Sequence, residues 1–293
     1  MDRDPVGLFG TGLLGTAIAR RLLQAGFRVL GFDPDAQKRA AFVALGGSAV
    51  VTAAEVAERC PTVVLAVFDT AQVEQVVEGA PGLFDSAVRT AICMSTCDPD
   101  RIGALAERTA LRGLTLLEVP VSGTSTQVAQ GEGVALVGGD AQAAEAAAPV
   151  IEAICPRRHY LGRAGNGGRA KLVINLMLGL NRAAIAEGLA LAERLGLERA
   201  RLLEVAKGSA AYSQVMDVKG ALWAEDRFSP PMSRVDQSLK DFTLMRELAE
   251  RVGQPLPFAS LYADLMRDCV AHGEAELDNA ILINAIRRQR AAG

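Results

Sequence analysis

The chain has 293 residues, half of them hydrophobic, 22% charged and only 4% aromatic, with a formal net charge of −3. That length buries one large core or two ordinary ones, and the charge gives no reason to expect nucleic acid or a membrane surface as partner. No N-terminal stretch has the order of a secretory signal, and no apolar run approaches the ~18–20 residues of a transmembrane helix.

Val6–Phe9 reads as a strand that flows into Gly10-Thr11-Gly12-Leu13-Leu14-Gly15, after which Leu13–Ala25 has helical spacing. Each glycine has a task in dinucleotide binding. Gly10 makes the tight turn, Gly12 lets the backbone approach a pyrophosphate, and Gly15 packs helix against strand. The amides and dipole of the helix N-terminus favour the phosphates. Asp33 closes the next strand, Arg28–Phe32, where an acid accepts from the ribose hydroxyls and repels a 2′-phosphate. NAD is therefore expected over NADP, with Lys38 and Arg39 near enough to soften the preference. An Asx-type turn before Pro34 is the plainer account of Asp33.

Ala36–Leu45 reads as a helix, Ala49–Val51 as a short strand and Ala53–Arg59 as a short helix. Thr62–Phe68 is a continuous apolar strand of the buried parallel type. Gln72–Glu78 is helical, Thr90–Met94 a strand, Pro99–Arg112 a helix and Thr115–Val119 a strand. Val134–Val137 is a further strand and Ala141–Ile154 a helix. Such alternation predicts an α/β architecture, a doubly wound parallel sheet. From Arg169 to Arg194 runs one long apolar helical segment, about 40 Å end to end, which reads as joining two lobes. Helices are expected over 198–207, 212–223, 234–252, 257–272 and 277–290, so the second lobe is all-α. The boundary falls in the Gly-rich 161–168 stretch, giving domains 1–164 and 165–293.

The five cysteines (60, 93, 97, 155 and 269) are odd in number and irregular in spacing, and there are two histidines. They read as reduced thiols of a cytoplasmic protein, with no metal site.

In open α/β sheets ligands sit beyond the carboxyl ends of the strands. Phe68 and Asp69, and Thr96 two residues before Asp98, therefore face the expected cofactor. Asp98 serves equally well as a helix cap before Pro99. Ser122, Gly123 and Thr124 follow a strand end in a hydroxyl-rich loop that suits a carboxylate, or is an ordinary turn. Lys is rare here, at 38, 171, 207, 219 and 240, with Arg the general surface cation. Lys171 and Asn175 lie four residues apart on one face of the long helix among apolar neighbours. There Lys171 is either a general acid–base with a pKa lowered by burial or a snorkelling surface lysine. Lys240 reads first as half of a Lys240–Asp241 surface pair, second as an ammonium aimed at cofactor or substrate.

Taken in order, these segments resemble the β-hydroxyacid dehydrogenase family, which includes 3-hydroxyisobutyrate dehydrogenases and tartronate-semialdehyde reductases. Gly7 to Gly15 is similar to its cofactor signature and Val119-Pro120-Val121-Ser122-Gly123 to its substrate loop. Gly165-Asn166-Gly167-Gly168-Arg169-Ala170-Lys171 through Asn175 resembles its catalytic helix, and Lys240-Asp241 its late motif. The resemblance implies a Rossmann lobe, an all-α lobe and an active site between them. It implies Lys171 as the proton-transfer residue with Asn175 as partner, Ser122 and Gly123 on the acid group, and Lys240 near the nicotinamide. Thr124 stands where the family has a second glycine, and Ile174 replaces the first of two asparagines. The C-terminal motif is reduced to Asp278-Asn279-Ala280-Ile281, and Arg234 marks an altered stretch before Lys240. These departures touch substrate shape. The reading is an NAD-dependent oxidoreductase of a small β-hydroxy acid, a homodimer or homotetramer, against two alternatives: an imine reductase-like enzyme, which Lys171 opposes, and a non-catalytic NAD(P)-binding module.

Overall fold

The computed structural model describes residues 4–80 and 82–289. The last residue of the helix expected over 277–290 lies outside them, as do the ends of both expected domains. The chain divides into two compact units, one running to Lys171 and the other starting at Leu172.

The first unit opens with β1 (Val6–Phe9), α1 (Leu13–Gln24), β2 (Val29–Phe32), α2 (Ala36–Ala44), β3 (Ser48–Ala49) and α3 (Ala53–Arg59). It continues with β4 (Thr62–Leu65), α4 (Thr70–Glu78), β5 (Thr90–Cys93), α5 (Pro99–Ala110) and β6 (Thr115–Glu118). These strands form one sheet in the order β3-β2-β1-β4-β5-β6, and each neighbouring pair is parallel. Successive side chains point to opposite faces. Leu8, Val64, Ile92 and Leu117 join a core with Ile18, Leu22 and Ile151. Val63, Leu65, Ala91 and Leu116 join another with Val56, Val73, Ile102 and Leu105. Both faces are covered, so the strands carry apolar residues without polar alternation. The order reverses between β1 and β4, and the crevice at such a switch point is where doubly wound sheets bind ligands.

Three local expectations change in this unit. The strand expected over Thr62–Phe68 stops at Leu65, because the Ala66 amide makes the last sheet bond, to the Phe9 carbonyl at 2.8 Å. Val67 and Phe68 belong to the turn beyond the sheet's carboxyl edge. The helix expected over Ala141–Ile154 is two, α7 (Ala141–Ala146) and α8 (Ala148–Ile154), with Pro149 in the first turn of the second, where its missing N–H costs nothing. A second sheet also went unforeseen. In it β7 (Val121–Ser122) pairs antiparallel with β8 (Val134–Val137), which pairs parallel with β9 (Arg157–Tyr160); α6 (Ser125–Ala129) follows β7. A two-residue strand has no readable period, and β9 is a polar edge strand.

The 29-residue α9 (Asn166–Arg194) runs from the first unit into the second. By length and composition it could cross a membrane, which corrects the expectation that no segment comes near that limit. The second unit adds α10 (Arg199–Lys207), α11 (Gln214–Glu225), α12 (Val235–Arg251), α13 (Pro257–Ala271) and α14 (Leu282–Arg288). A 3₁₀ turn (Asn279–Ile281), capped by Asp278, precedes α14 in place of one continuous helix. Among the described residues this unit has no strand. Its core gathers Trp223, Phe242, Tyr262, Met266 and Leu282. Gly179 lets α9 come close to α12, since a Cβ there would lie 2.4 Å from the Phe242 ring.

Candidate active site

The glycine turn sits at the switch point. Gly10 has φ +89°, and a Cβ on it would lie 2.5 Å from the Ala66 carbonyl oxygen, so only glycine fits. A Cβ on Gly15 would lie 2.0 Å from the Gly10 oxygen. A Cβ on Gly12 would meet nothing within 4 Å. The turn is thus crowded behind and open in front. Leu13 and Leu14 begin α1 directly after it. Thr11 is buried, yet its hydroxyl has no hydrogen-bond partner among the described residues. An orphaned donor beside the free amides of a helix N-terminus is the chemistry a pyrophosphate satisfies, so these residues fit a dinucleotide.

Asp33 is buried at the end of β2. The Thr11 amide donates to its Oδ2 at 2.9 Å and the Asp35 amide to its Oδ1 at 3.0 Å. Carboxylate oxygens accept more than one hydrogen bond each, so both retain capacity for ribose hydroxyls. Arg39 donates to the carbonyls of Asp33 (2.7 Å) and Pro34 (3.0 Å), and Lys38 is exposed. Asp35, not Asp33, caps α2.

Phe68, 38% exposed, and Asp69 lie in the turn after β4, where Asp69 accepts from the Gln72 amide and caps α4. Thr96 is half-buried after β5. The adjacent Ser95 donates to the Val67 carbonyl at 2.7 Å, tying the two strand-end turns together. Asp98 caps α5, the plainer of its two readings. Ser122 ends β7 half-buried and Gly123 follows with φ +138°. Thr124 caps α6, its hydroxyl and amide both engaged with Gln127. What sequence reading missed here is Glu118, buried at the end of β6. A carboxylate inside an apolar parallel strand is costly unless satisfied, and that cost was the available signal. The Gly165 amide donates to its Oε2 at 2.8 Å. Burial raises its pKa, and the amides of Gly168, Gly165 and Gly167 oppose the rise.

Lys171, the sixth residue of α9, is 6% exposed, which removes the snorkelling account. In the second unit, Asn175 Nδ2 donates to Asp241 Oδ2 at 2.8 Å, and Lys240 Nζ lies 3.1 Å from Asp241 Oδ1. The side chains of Lys240 and Asp241 are mostly covered, 17% and 15% exposed. The structure therefore gathers Gly10–Gly15 with Asp33 in one unit, and Asn175 with Lys240 and Asp241 in the other. The cysteines are buried free thiols, and burial pushes Cys60 up to about 11 and Cys155 to about 12.

Two family models match end to end. Residues 5–162 match the NAD binding domain of 6-phosphogluconate dehydrogenase, and residues 165–286 match the NAD-binding domain of NADP-dependent 3-hydroxyisobutyrate dehydrogenase. This chain belongs to the β-hydroxyacid dehydrogenase family. L-threonate dehydrogenase of Cupriavidus necator is 31% identical, covering 96% of each chain. The 2-hydroxy-3-oxopropionate reductase of Escherichia coli is 28% identical, again over 96% of each. A crystal structure of 3-hydroxyisobutyrate dehydrogenase from Salmonella typhimurium superposes with a TM-score of 0.86 at 28% identity, covering 96% of this chain and 99% of that one. The protein is an NAD(P)-dependent oxidoreductase acting on hydroxyl groups. The second family model takes in α9 entire, which marks it as an internal helix of the family's helical domain.

Proposed function

We propose that this member interconverts a small β-hydroxy acid, a related sugar acid or a β-hydroxy amino acid with its semialdehyde or keto form, using NAD in preference to NADP. The observation that carries this reading is the burial of Lys171 on α9, one turn ahead of an Asn175 whose amide is held by Asp241. A lysine kept from water exchanges a proton near neutrality more readily than an exposed one.

The Gly10–Gly15 turn, with Thr11, Leu13 and Leu14, holds the pyrophosphate, and Asp33 takes the ribose hydroxyls. Phe68, Asp69, Thr96 and Lys240 complete the cofactor contacts. When bound, the nicotinamide ring supplies the hydride acceptor in oxidation and the donor in reduction. Lys171 takes the hydroxyl proton in oxidation and returns it in reduction, and its ammonium stabilises alkoxide character at the same oxygen. Asn175 orients that oxygen. Ser122 and the Gly123 amide grip the carboxylate, while Thr124, committed to capping α6, shapes the loop. Residues 1–164 act as the cofactor domain and 165–293 as the substrate and oligomer domain, and the buried thiols fit the cytoplasm.

A second copy of the chain is assigned to α9. Val173, Met177, Leu191 and Leu195 are 53–67% exposed, and with Leu180, Ala184 and Gly188 they recur every three or four residues along one face. A homodimer or homotetramer built on this seam buries it.

A screen of NAD reduction across 3-hydroxy acids, sugar acids and β-hydroxy amino acids identifies the substrate. With it, Lys171→Ala is expected to bind NADH normally and lose about 10²–10⁴ in kcat, the range of general acid–base catalysis. Near-normal turnover in that variant overturns the assignment.

A further inference from the structure

We propose that Glu118 is a positioning residue: its carboxylate, carried by β6, seats the N-terminus of α9 and thereby fixes where Lys171 stands. This rests on the reading of Lys171 as the acid–base.

The first amides of a helix have no partner within it, and a side chain just ahead of the helix ordinarily supplies one. Here α9 is preceded by Gly165, which has no side chain and sits at φ +94°. The acceptor comes from 47 residues earlier instead. Glu118 Oε2 takes the Gly165 amide at 2.8 Å, and the nearby amides of Gly167 and Gly168 also favour the carboxylate's charge.

The seat is made of glycines. A Cβ on Gly168 would lie 2.4 Å from Oε1, and one on Gly167 or Gly138 would lie 3.1 Å from Oε2. The Gly-rich segment before Lys171 is therefore more than a hinge. It is the surface that lets a carboxylate come up to the amides of Gly165, Gly167 and Gly168. Gly168 and Gly167 lie three and four residues before Lys171, directly below it along the helix. A tilt of the first turn moves the lysine with it.

The charge acts as well. A carboxylate at a helix N-terminus offsets the positive dipole end, which otherwise makes a nearby ammonium less favourable. Arg169 on α9 and Cys93 on β5 are the other titratable groups that interact with Glu118. Arg169 is itself paired with Asp100 on α5 and bonded to Asn166. Asn166 in turn donates to the Leu161 carbonyl at 2.8 Å. These contacts hold the approach to α9 from the side. Glu118 reaches that approach from β6, through the Gly165 amide.

The test compares Glu118→Gln, Glu118→Asp, Gly168→Ala and Lys171→Ala with the parent, counting sites by NADH titration. Glu118→Gln keeps the shape but turns an NH₂ toward donor amides. It is expected to lose about 10- to 100-fold in kcat per site, the scale of a misplacement near 1 Å, with NADH affinity unchanged. Its rise of oxidation rate with pH moves to lower pH, and amide exchange over residues 165–171 quickens. Glu118→Asp keeps the charge, so the rise stays at the parental pH. Gly168→Ala leaves Glu118 in the chain but pushes the carboxylate off its seat, and reproduces the kcat loss even if Glu118→Gln fails to fold. Parental kcat and pH profile in Glu118→Gln or Gly168→Ala, with Lys171→Ala inactive, overturn the positioning role alone. Turnover retained by Lys171→Ala overturns the acid–base reading itself.

Discussion

Asn175 and Asp241 stand 66 residues apart in sequence and are joined by a hydrogen bond of 2.8 Å, with Asn175 Nδ2 as donor. The bond fixes which way the amide faces. With its NH₂ turned to Asp241, Asn175 presents its carbonyl oxygen elsewhere, as an acceptor for a hydroxyl or an ammonium. Lys240 lies 3.1 Å from the other Asp241 oxygen, though not aligned as a hydrogen bond. One carboxylate thus steadies both residues.

Asp241→Ala is therefore expected to act on substrate recognition through Asn175. Losing a hydrogen bond to a charged group costs about 1.5–3 kcal/mol where the partner stays buried. The expected result is a kcat/KM for the hydroxy acid lower by about tenfold or more, because each 1.4 kcal/mol is a factor of ten. Steady-state kinetics with saturating NAD check it, and an unchanged kcat/KM excludes the orienting role.

The glycine turn separates two effects that one mutation usually mixes. Gly12→Ala adds a methyl into space that is empty of protein within 4 Å, so folding should be untouched. The same methyl stands where the backbone must approach a pyrophosphate. The melting temperature should hold, while the Kd for NADH rises by about tenfold or more, roughly 1.4 kcal/mol. Gly15→Ala is the opposite case, since its Cβ collides with the Gly10 carbonyl at 2.0 Å. It should lower the melting temperature as well. Thermal melts and NADH fluorescence titrations on both variants distinguish the two.

The parts of this protein that the sequence makes legible are those whose chemistry is local. The turn from Gly10 to Gly15, Asp33 at a strand end and the apolar strands are written in consecutive residues. So is the length of α9. Glu118 carries one local signal, the cost of a carboxylate at the end of an apolar strand, but its partners lie 47 to 50 residues away and nothing local names them. The β7–β8–β9 sheet was invisible because two residues carry no period and Arg157-Arg158-His159-Tyr160 has no apolar face. At Thr124 a hydroxyl in a loop reads alike whether it caps a helix or meets a ligand. Only the following Gln127, three residues on, marked the capping box.

Cofactor choice follows from Asp33 and Arg39. The Arg39 guanidinium, a cation close in sequence that would suit a 2′-phosphate, is tied to the Asp33 and Pro34 carbonyls at 2.7 and 3.0 Å. A phosphate would meet a buried carboxylate instead. The parent is expected to show a higher kcat/KM with NAD than with NADP, and Asp33→Ser to narrow the ratio by weakening NAD and admitting NADP. A parent that prefers NADP refutes the argument.

Lys219 and Asp278 form a buried ion pair in the helical unit, at 2.7 and 2.8 Å. Asp278 also accepts from the amides of Met232 (2.8 Å) and Ala280 (2.9 Å), so it pins the chain before α12 to the turn before α14. Burial pushes Lys219 from 10.5 down to about 8, with Asp278 opposing the shift. Below about pH 8 the folded and unfolded chains both hold this proton. Between about 8 and 10.5 the unfolded chain binds more of it, so this group's contribution to stability rises with pH. Lys219→Met should cost about 3–5 kcal/mol by leaving Asp278 buried without its cation. The deficit should widen from pH 8 to 10, and urea titrations at several pH values measure it. A deficit that is flat or shrinks with pH contradicts the shift.

The exposed seam of α9 makes the assembly testable without knowing the substrate. Val173, Met177, Leu191 and Leu195 are 53%, 54%, 60% and 67% exposed, so an apolar face along α9 and just past its end stands open to water. A symmetric dimer covers such a face with its own copy, since the same stripe serves both partners. The exposed Ala184 and Gly188, at the middle of the stripe, allow the closest approach there. A Cβ on Gly188 would meet nothing within 4 Å of its own chain. Met177→Glu and Leu191→Glu each place a charge in the seam, where it would be buried unpaired only if the copies meet there. Light scattering should find the parent as a dimer or tetramer and the double variant as smaller species at the same concentration. Its circular dichroism should keep the parental helix content. A parent that scatters as a monomer at working concentration removes the seam from the account, and a double variant that stays fully assembled moves the interface to another face.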